Sequence, residues 1–214
     1  MAEPPARPED LPALLQAIRA CRLCRDAPRY PPPLPQEPNP LLQASASARI
    51  CIASQAPGIR AHNSGIPFND PSGVRLRQWL GVSDSEFYDA SKVAIIPMGF
   101  CFPGYDAQGH DLPPRRECAQ LWHQRLFASL PALRLVLVIG SHALRWHLGA
   151  DVARQGMNRT MLRWRQYHAS NAHPWRVLPL PHPSWHNNAW LKRNPWFETE
   201  LLPVLRAEIR ALLD

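Results

Sequence analysis

A histidine held between two prolines is the sequence feature best suited to catalysis. In the segment Pro181-His182-Pro183-Ser184, the proline rings restrict the backbone on both sides of the histidine. A side chain held in this way can be aimed at an atom on which charge develops during a reaction. A surface turn before the last helix is the simpler interpretation of the same segment.

A long loop rich in glycine and proline carries a second set of polar side chains. It runs from Ser54 to Gly73 and contains Gln55 and Asp70. Such a loop offers backbone amides to an anion and holds its side chains rigidly where it leads into a helix. Taken by itself, this loop is better interpreted as an ordinary strand-to-helix turn.

Four of the five cysteines have a spacing that suits metal binding. Cys21 and Cys24 form a C-x-x-C pair, and Cys101 and Cys118 follow far downstream. This set is suited to Zn²⁺, and four free cysteines are the alternative. Cys51 lies inside an apolar run and is predicted to be a core residue.

Alternating strands and helices must position these segments. Four short apolar runs predict buried strands, at 49–53, 93–98, 133–139 and 177–180. Helices are predicted at 11–20, 73–80, 115–130, 141–148 and 195–213. This alternation predicts a parallel sheet with helices on both faces. Ligands bind such sheets beyond the carboxyl ends of the strands, which is where the loops with Gln55 and His182 begin.

The domain organisation is predicted to be simple. A chain of 214 residues fits one domain with a full core. Residues 1–10 are acidic and rich in proline and predict a flexible tail, so that 11–214 form a single domain. Seven prolines between residues 28 and 40 exclude a regular helix or a central strand there. That segment is predicted to be a wrapping loop or a linker within the fold.

The net charge of +7 suggests a polyanionic partner. Arginine supplies nearly all of it, since Lys92 and Lys192 are the two lysines. A basic surface with no such partner is the alternative. No apolar run approaches the eighteen residues of a membrane span, and the N-terminus lacks a signal-peptide pattern. We therefore expect a cytoplasmic protein with no membrane partner.

Four motifs, in this order along the chain, resemble those of the uracil-DNA glycosylase superfamily. The segments 54–58 and 65–68, Ser-Gln-Ala-Pro-Gly and Gly-Ile-Pro-Phe, are similar to the family's first active-site loop. Segment 101–118 resembles the cysteine-bearing segment of the iron–sulfur branch, families four and five. The strand ending at Ile139 and the following Gly-Ser-His-Ala match the family's strand-Gly-x-x-Ala turn, and His182-Pro-Ser resembles its second active-site motif.

The resemblance implies both a fold and a function. The fold is a three-layer α/β/α sandwich with a central four-stranded parallel sheet. The function is that of a DNA-repair glycosylase, which flips a uracil or another deaminated base out of DNA and hydrolyses its N-glycosidic bond in base excision repair. The partner is DNA that contains a damaged base, and we expect the protein to be a monomer.

The resemblance also assigns roles within the site. His182 hydrogen-bonds the departing base oxygen, and Phe68 stacks on the flipped base. Gln55 and the backbone of Ala56 occupy the water-handling loop. Gln55 is expected to orient the water or to contact a base edge, but an amide cannot act as a base. Because relatives carry Asp or Asn where Ala56 stands, water activation falls to Asp70 or His62, or leaving-group stabilisation alone suffices.

A second departure concerns base recognition. Pro97 stands where many relatives carry an Asn that reads the uracil edge. Asn69, or a backbone amide near Met98 or Gly99, is expected to take that role. Another deaminated base is therefore a candidate substrate.

The loop after His182 is implied to contact DNA. In the family it enters the minor groove, holds phosphates and fills the gap left by the flipped base. Trp185 is the expected wedge, and Lys192 and Arg193 are either phosphate contacts or an ordinary solvated helix start. The expected DNA-binding set is Ser184, Trp185, Asn187, Lys192 and Arg193.

The cysteines match the order of the cluster ligands in the iron–sulfur branch. The resemblance implies that Cys21, Cys24, Cys101 and Cys118 hold a [4Fe–4S] cluster. Its role would be structural, pinning the proline-rich segment to the loop 101–118. Zinc or no metal at all are the alternatives.

Two other functions remain open at this point. A non-catalytic relative that binds damaged or single-stranded DNA is favoured by the missing Asp or Asn at Ala56. A nucleotide or RNA-processing hydrolase on the same scaffold is the third hypothesis.

Overall fold

The computed structural model describes residues 10–214. The predicted N-terminal tail lies outside these residues, except for Asp10. This residue belongs to the folded domain, because its carboxylate accepts a hydrogen bond of 3.2 Å from the Ala13 amide and caps the first helix. An N-cap of this kind satisfies one of the unpaired amides at a helix start.

Four parallel strands form one sheet in the order β2-β1-β3-β4. The strands are β1 (Ile50–Ala53), β2 (Val93–Ile95), β3 (Leu135–Ile139) and β4 (Arg176–Leu180). All four predicted strands are confirmed. β2 ends before its predicted limit because Pro97 has no amide hydrogen for the ladder, although Met98 N–H still reaches the Ser54 carbonyl at 2.8 Å.

Helices cover both faces of the sheet. They are α1 (Leu11–Arg19), α2 (Leu23–Asp26), α3 (Ile59–Ser64), α4 (Pro71–Leu80), α5 (Asp84–Phe87), α6 (Arg116–Ala128), α7 (Ser141–Leu148), α8 (Ala150–Arg154), α9 (Gly156–Leu162), α10 (Trp164–His168), α11 (Asn188–Arg193) and α12 (Leu202–Leu213). A 3₁₀ turn, Trp185–Asn187, precedes α11, and a π-helical turn, Phe197–Leu201, precedes α12. Within residues 10–214, every helix is too short or too polar to cross a membrane.

Two hydrophobic cores lie on opposite faces of the sheet, because successive strand residues point to opposite sides. Cys51 and Ala53 face one core, formed with α1, α6 and α7. Ile50 and Ile52 face the other, formed with α4, α10 and α12. The sequence prediction of a three-layer fold is confirmed, and so is the prediction that Cys51 is a core residue, since it is fully buried.

The strand order creates a crevice at the carboxyl edge of the sheet. The chain leaves β1 for β2 on one side and β3 for β4 on the other, so the loops after β1 and β3 diverge. Gly140 follows β3 with a φ of 85°. A Cβ at this position would lie 3.0 Å from Gln55 Cγ, so a glycine here lets the side chain of Gln55 rest against the start of α7.

The proline-rich segment 28–40 wraps the domain rather than linking two units. The Leu34 amide donates to the Cys24 carbonyl at 2.8 Å, and Arg115 Nη1 donates to the Pro32 carbonyl at 2.8 Å. The side-chain amide of Gln36 also donates to the backbone carbonyl of Phe102. These contacts join the C-x-x-C segment to the loop before α6.

Replacing a buried histidine is expected to weaken the dependence of stability on pH. Burial lowers the pKa of His147 from 6.5 to about 3, whereas in the unfolded chain the side chain takes up a proton below pH 6.5. Between these values the unfolded state binds more protons, so the free energy of unfolding falls as the pH falls. Each such group contributes about 1.4 kcal/mol per pH unit.

The test compares denaturant unfolding of the wild type and His147→Leu from pH 7 to pH 4. The variant should lose about 1.4 kcal/mol less stability per pH unit below pH 6.5. The neighbouring buried His123, whose pKa burial lowers to about 4, leaves part of the acid sensitivity in place. Equal slopes for the two proteins would contradict the prediction.

Candidate active site

The loops after β1 and β4 meet around one cavity at the carboxyl edge of the sheet. This inner cavity takes in a space of about 570 Å³ that is partly open to solvent. Its lining includes Ser54, Ala56, Phe68, Asp70, Ser72, Pro97, Asp111 and His182. An outer cleft of about 660 Å³ shares Ala56, Asp111 and His182 and adds Gln55 and His142. The two sequence motifs therefore lie at one rim, as their positions after parallel strands predict.

His182 is held by its own loop. The Ser184 amide donates to His182 Nδ1 at 3.2 Å, and the Asn187 side-chain amide donates to the His182 carbonyl at 2.7 Å. With Nδ1 acting as an acceptor, the neutral ring carries its proton on Nε2. Asn187 thus braces the histidine, and the DNA contact predicted for its side chain stays a prediction.

The environment of His182 favours the neutral ring. Burial lowers its pKa, and the nearby His186 lowers it further, whereas Asp70 opposes the shift. At neutral pH the side chain therefore presents an N–H donor without a positive charge. Such a donor stabilises negative charge that develops on a ligand atom.

Phe68 stands in a strained backbone conformation at the cavity wall. Its φ is 56°, which is uncommon for a residue other than glycine. The Tyr88 hydroxyl donates to the Pro67 carbonyl at 3.1 Å, and a Cβ on Gly73 would lie 1.8 Å from the Phe68 oxygen, so α4 presses directly on this turn. The ring packs edge-on against Phe87, with centroids 6.0 Å apart. The surrounding structure holds this half-buried ring in the lining of the cavity.

Asp70 lines the cavity but also has a structural task. Its Oδ1 accepts a hydrogen bond of 2.8 Å from the Gly73 amide and so caps α4. His62, the other residue considered for water activation, does not line either cavity. Its backbone carbonyl accepts a hydrogen bond from Asn39 at 2.7 Å.

Asp111 is a site residue that the sequence analysis missed. It lines both cavities, and a Cβ on Gly58 would lie 3.7 Å from its Oδ2. A backbone bridge to Tyr105 closes the loop that carries it. Partial shielding from water raises the pKa of its carboxyl, and the charge of Asp70 raises it further. Asp111 stands 55 positions from Ala56 in sequence number, so its approach to the water-handling loop has no local signal.

The residues expected to replace the missing Asn do not line the inner cavity. The amides of Met98 and Gly99 donate to the carbonyls of Ser54 and Gln55 at 2.8 and 2.9 Å, so neither is free to read a base. Met98 is buried, and Asn69 is exposed outside the cavity lining. The expectation for the amides of Met98 and Gly99 is therefore corrected, whereas the role of Asn69 stays a prediction.

Two hydroxyl groups line the inner cavity. Ser54 and Ser72 lie in the lining together with Pro97, which offers no side-chain donor. A hydroxyl acts as both donor and acceptor, so these two side chains are compatible with more than one base edge. The sequence analysis did not identify either serine as a site residue.

The rim beside His182 carries an exposed aromatic pair. Trp185 is 70% exposed and stacks on His186, with ring centroids 3.8 Å apart. Arg75, from α4, donates to the Ser184 carbonyl at 3.2 Å and to Asn188 Oδ1 at 2.8 Å. This arginine fixes the loop from a distant part of the sequence. Lys192 and Arg193 are exposed at the end of α11. This position is compatible with contacts to DNA phosphates and equally with an ordinary solvated surface.

The four candidate ligand cysteines surround a separate cavity. Cys21, Cys24, Cys101 and Cys118 all line a space of about 350 Å³ between α1, α6 and the proline-rich segment. All five cysteines of the chain are free thiols. Within residues 10–214, no three Cys, His, Asp or Glu side chains are grouped closely enough to hold a metal ion.

The thiols themselves are not set up as nucleophiles. Burial raises the pKa of Cys24 to about 11 and that of Cys101 to about 12. A reactive cysteine requires a lowered pKa, because the thiolate is the nucleophile. The site chemistry therefore rests on the cavity around His182.

The cavity lies at the switch point of a parallel sheet, where open α/β proteins bind their ligands, and His182 is in its wall. The family model described as the Uracil DNA glycosylase superfamily matches residues 43–206, more than half of the chain. The protein belongs to this superfamily of glycosylase-like hydrolases of DNA repair. The match contains both active-site loops, whereas Cys21 and Cys24 lie outside it.

Proposed function

We propose that the protein is a base-excision glycosylase that hydrolyses the N-glycosidic bond of a flipped, deaminated base in DNA. One observation carries this proposal: His182, whose surroundings favour the neutral imidazole, and the ring of Phe68 line the same cavity. An aromatic face stacks on any base, and a neutral N–H donor stabilises the departing base as an anion. The positive net charge suits a DNA backbone.

In the proposed reaction, the bond between the sugar C1′ and the base nitrogen breaks, and its electron pair leaves with the base. His182 Nε2–H stabilises the negative charge that reaches a base oxygen. A water molecule adds to C1′, and its proton passes to Asp111. The raised pKa of this carboxyl makes it a better proton acceptor than an ordinary aspartate.

Asp111 takes the place of the carboxylate that Ala56 lacks. Its Oδ2 lies against Gly58 in the water-handling loop, whereas one oxygen of Asp70 is occupied by the cap of α4. We therefore assign the positioning of the water to Asp111. Asp70 caps α4, and its negative charge raises the pKa of Asp111. Gln55 lines the outer cleft and is placed to orient the same water.

A labelled oligonucleotide with one uracil tests the proposal, with hypoxanthine and xanthine oligonucleotides in parallel. Alkali cleaves the strand only where a base has been removed. We expect cleavage at one or more of the three lesions and none at a normal base in the same position. Binding without cleavage at all three would support the non-catalytic alternative.

We also propose that the cysteine cavity holds a [4Fe–4S] cluster with a structural role. Four thiols that line one cavity without converging on a single point suit a multi-iron cluster better than one zinc ion, whose sulfur ligands lie at about 2.3 Å. The Phe100 amide donates to Cys118 Sγ at 3.4 Å, and Arg22 and Arg115 also line the cavity. The bound cluster would supply cross-links between α2 and the segment 101–118.

Loss of one ligand cysteine is expected to cost more stability than loss of the core cysteine. Cys51→Ala leaves a small void, which should cost about 1 kcal/mol and lower the melting temperature by about 3 °C. Cys101→Ala should lower it at least twice as much and reduce the iron content of the purified protein from about four atoms per chain. Equal melting losses, or a wild type without iron, would overturn the cluster proposal.

A further inference from the structure

A basic groove extends from the active site along two helices. It is an open groove between α6 and α7. His142 lines both this groove and the outer cleft, so the two adjoin each other at this residue. The proposed reaction uses no residue whose side chain faces this groove.

The charges in the groove are of one sign. Arg115, Arg116 and Arg145 are part of its lining, and no acidic residue of the described chain is. Arg115 is fixed by Glu117 at 2.9 Å, whereas Arg116 and Arg145 are exposed. Both exposed arginines lie close enough to His142 to lower the pKa of its ring, in addition to the larger effect of burial. The groove therefore suits a ligand that carries several negative charges.

An exposed tryptophan of α7 lines the same groove as these arginines. Trp146 is 42% exposed, although its edge packs against the buried ring of His123, with centroids 5.5 Å apart. Such packing anchors the indole and leaves part of it open to a partner. Exposed aromatic rings beside arginines are the elements with which proteins bind single-stranded nucleic acid, because a base stacks on the ring while its phosphates pair with the cations.

We propose that this groove binds unpaired nucleotides of the DNA strand next to the flipped base, with a base stacked on Trp146 and phosphates near Arg116 and Arg145. This inference rests on the proposed function, since the groove adjoins at His142 the outer cleft that also contains His182. Bases of an intact duplex are already stacked on their neighbours and have no free face for Trp146. The protein is therefore expected to prefer single-stranded or locally melted DNA.

The first test measures binding to fluorescent oligonucleotides, both single-stranded and duplex. These oligonucleotides contain no damaged base, so that binding in the base cavity does not contribute. Trp146→Ala is expected to weaken single-strand binding about 10-fold and to change duplex binding less than twofold. Trp146→Phe, which keeps an aromatic face, should bind within threefold of the wild type. Arg145→Ala should reduce the slope of log affinity against log salt by about 0.7 on single strands.

Trp185→Ala is the matched control, because it removes an exposed tryptophan from the other rim of the site. Its effect is expected mainly on duplex DNA that carries a lesion. Equal losses of single-strand and duplex affinity in Trp146→Ala, or no loss in a variant with an unchanged melting temperature, would overturn the groove proposal. A wild type that cleaves no lesion but shows the Trp146 effect would reject the proposed reaction and leave the groove in place.

Discussion

Replacing His182 by alanine is expected to lower the single-turnover rate of base release about 100-fold. The variant loses the neutral N–H donor that lies in the wall of the base cavity. The loss should appear in the chemical step rather than in DNA affinity, because the charge on the departing base develops only as the bond breaks. Quenched reactions with enzyme in excess over a lesion oligonucleotide measure this step.

His186→Ala is the matched control for this prediction. His186 is exposed and stacks on Trp185, with ring centroids 3.8 Å apart. Its loss should weaken DNA binding and leave the single-turnover rate at saturation within about threefold of the wild type. If His182→Ala reacts at the wild-type rate while its melting temperature is unchanged, the role assigned to His182 is wrong.

Asp111→Asn is expected to lower the single-turnover rate about 100-fold as well, because an amide cannot accept the proton of the attacking water. The carboxyl must be ionised to act, so the wild-type rate should fall as the pH falls through the raised pKa of Asp111. In the variant this acidic limb should disappear. The measurement is the single-turnover rate from pH 4 to pH 8.

Asp70→Asn distinguishes the role of Asp111 from that of Asp70, the other carboxylate in the cavity lining. Asparagine caps helices about as well as aspartate, so α4 should keep its N-terminus and the protein its melting temperature. We expect a loss of less than 10-fold for this variant. A larger loss for Asp70→Asn than for Asp111→Asn would return the water-activating role to Asp70.

Most of the regular structure was predictable because its signals are local. The apolar runs that became β1 to β4 and the periodic segments that became α1, α4, α6 and α7 carry their patterns within a few residues. The short helices α3, α5 and α8 to α10 were not predicted. Helices of four to seven residues are marginal alone and depend on tertiary contacts, such as the burial of Met161 and Trp164.

The part of the site that could be predicted consists of residues in the loops directly after strands. Phe68 and His182 belong to loops that leave parallel strands, so the rule for such sheets brought them to one edge. The prediction that a backbone amide replaces the missing Asn was wrong, because the amides of Met98 and Gly99 extend the pairing with β1. A sequence shows that an amide exists but not whether the fold has already given it a partner.

By itself, the sequence determined the parallel α/β fold, the order of the active-site motifs and the restricted backbone around His182. Only the tertiary structure decided that Asp111 lies in the cavity, that four distant cysteines line one space, and that Trp146 lies in a basic groove beside the site. The physical reason is the range of the forces involved. Backbone preferences act between near neighbours in the chain, whereas the distances between remote loops are set by how both sides of the sheet pack.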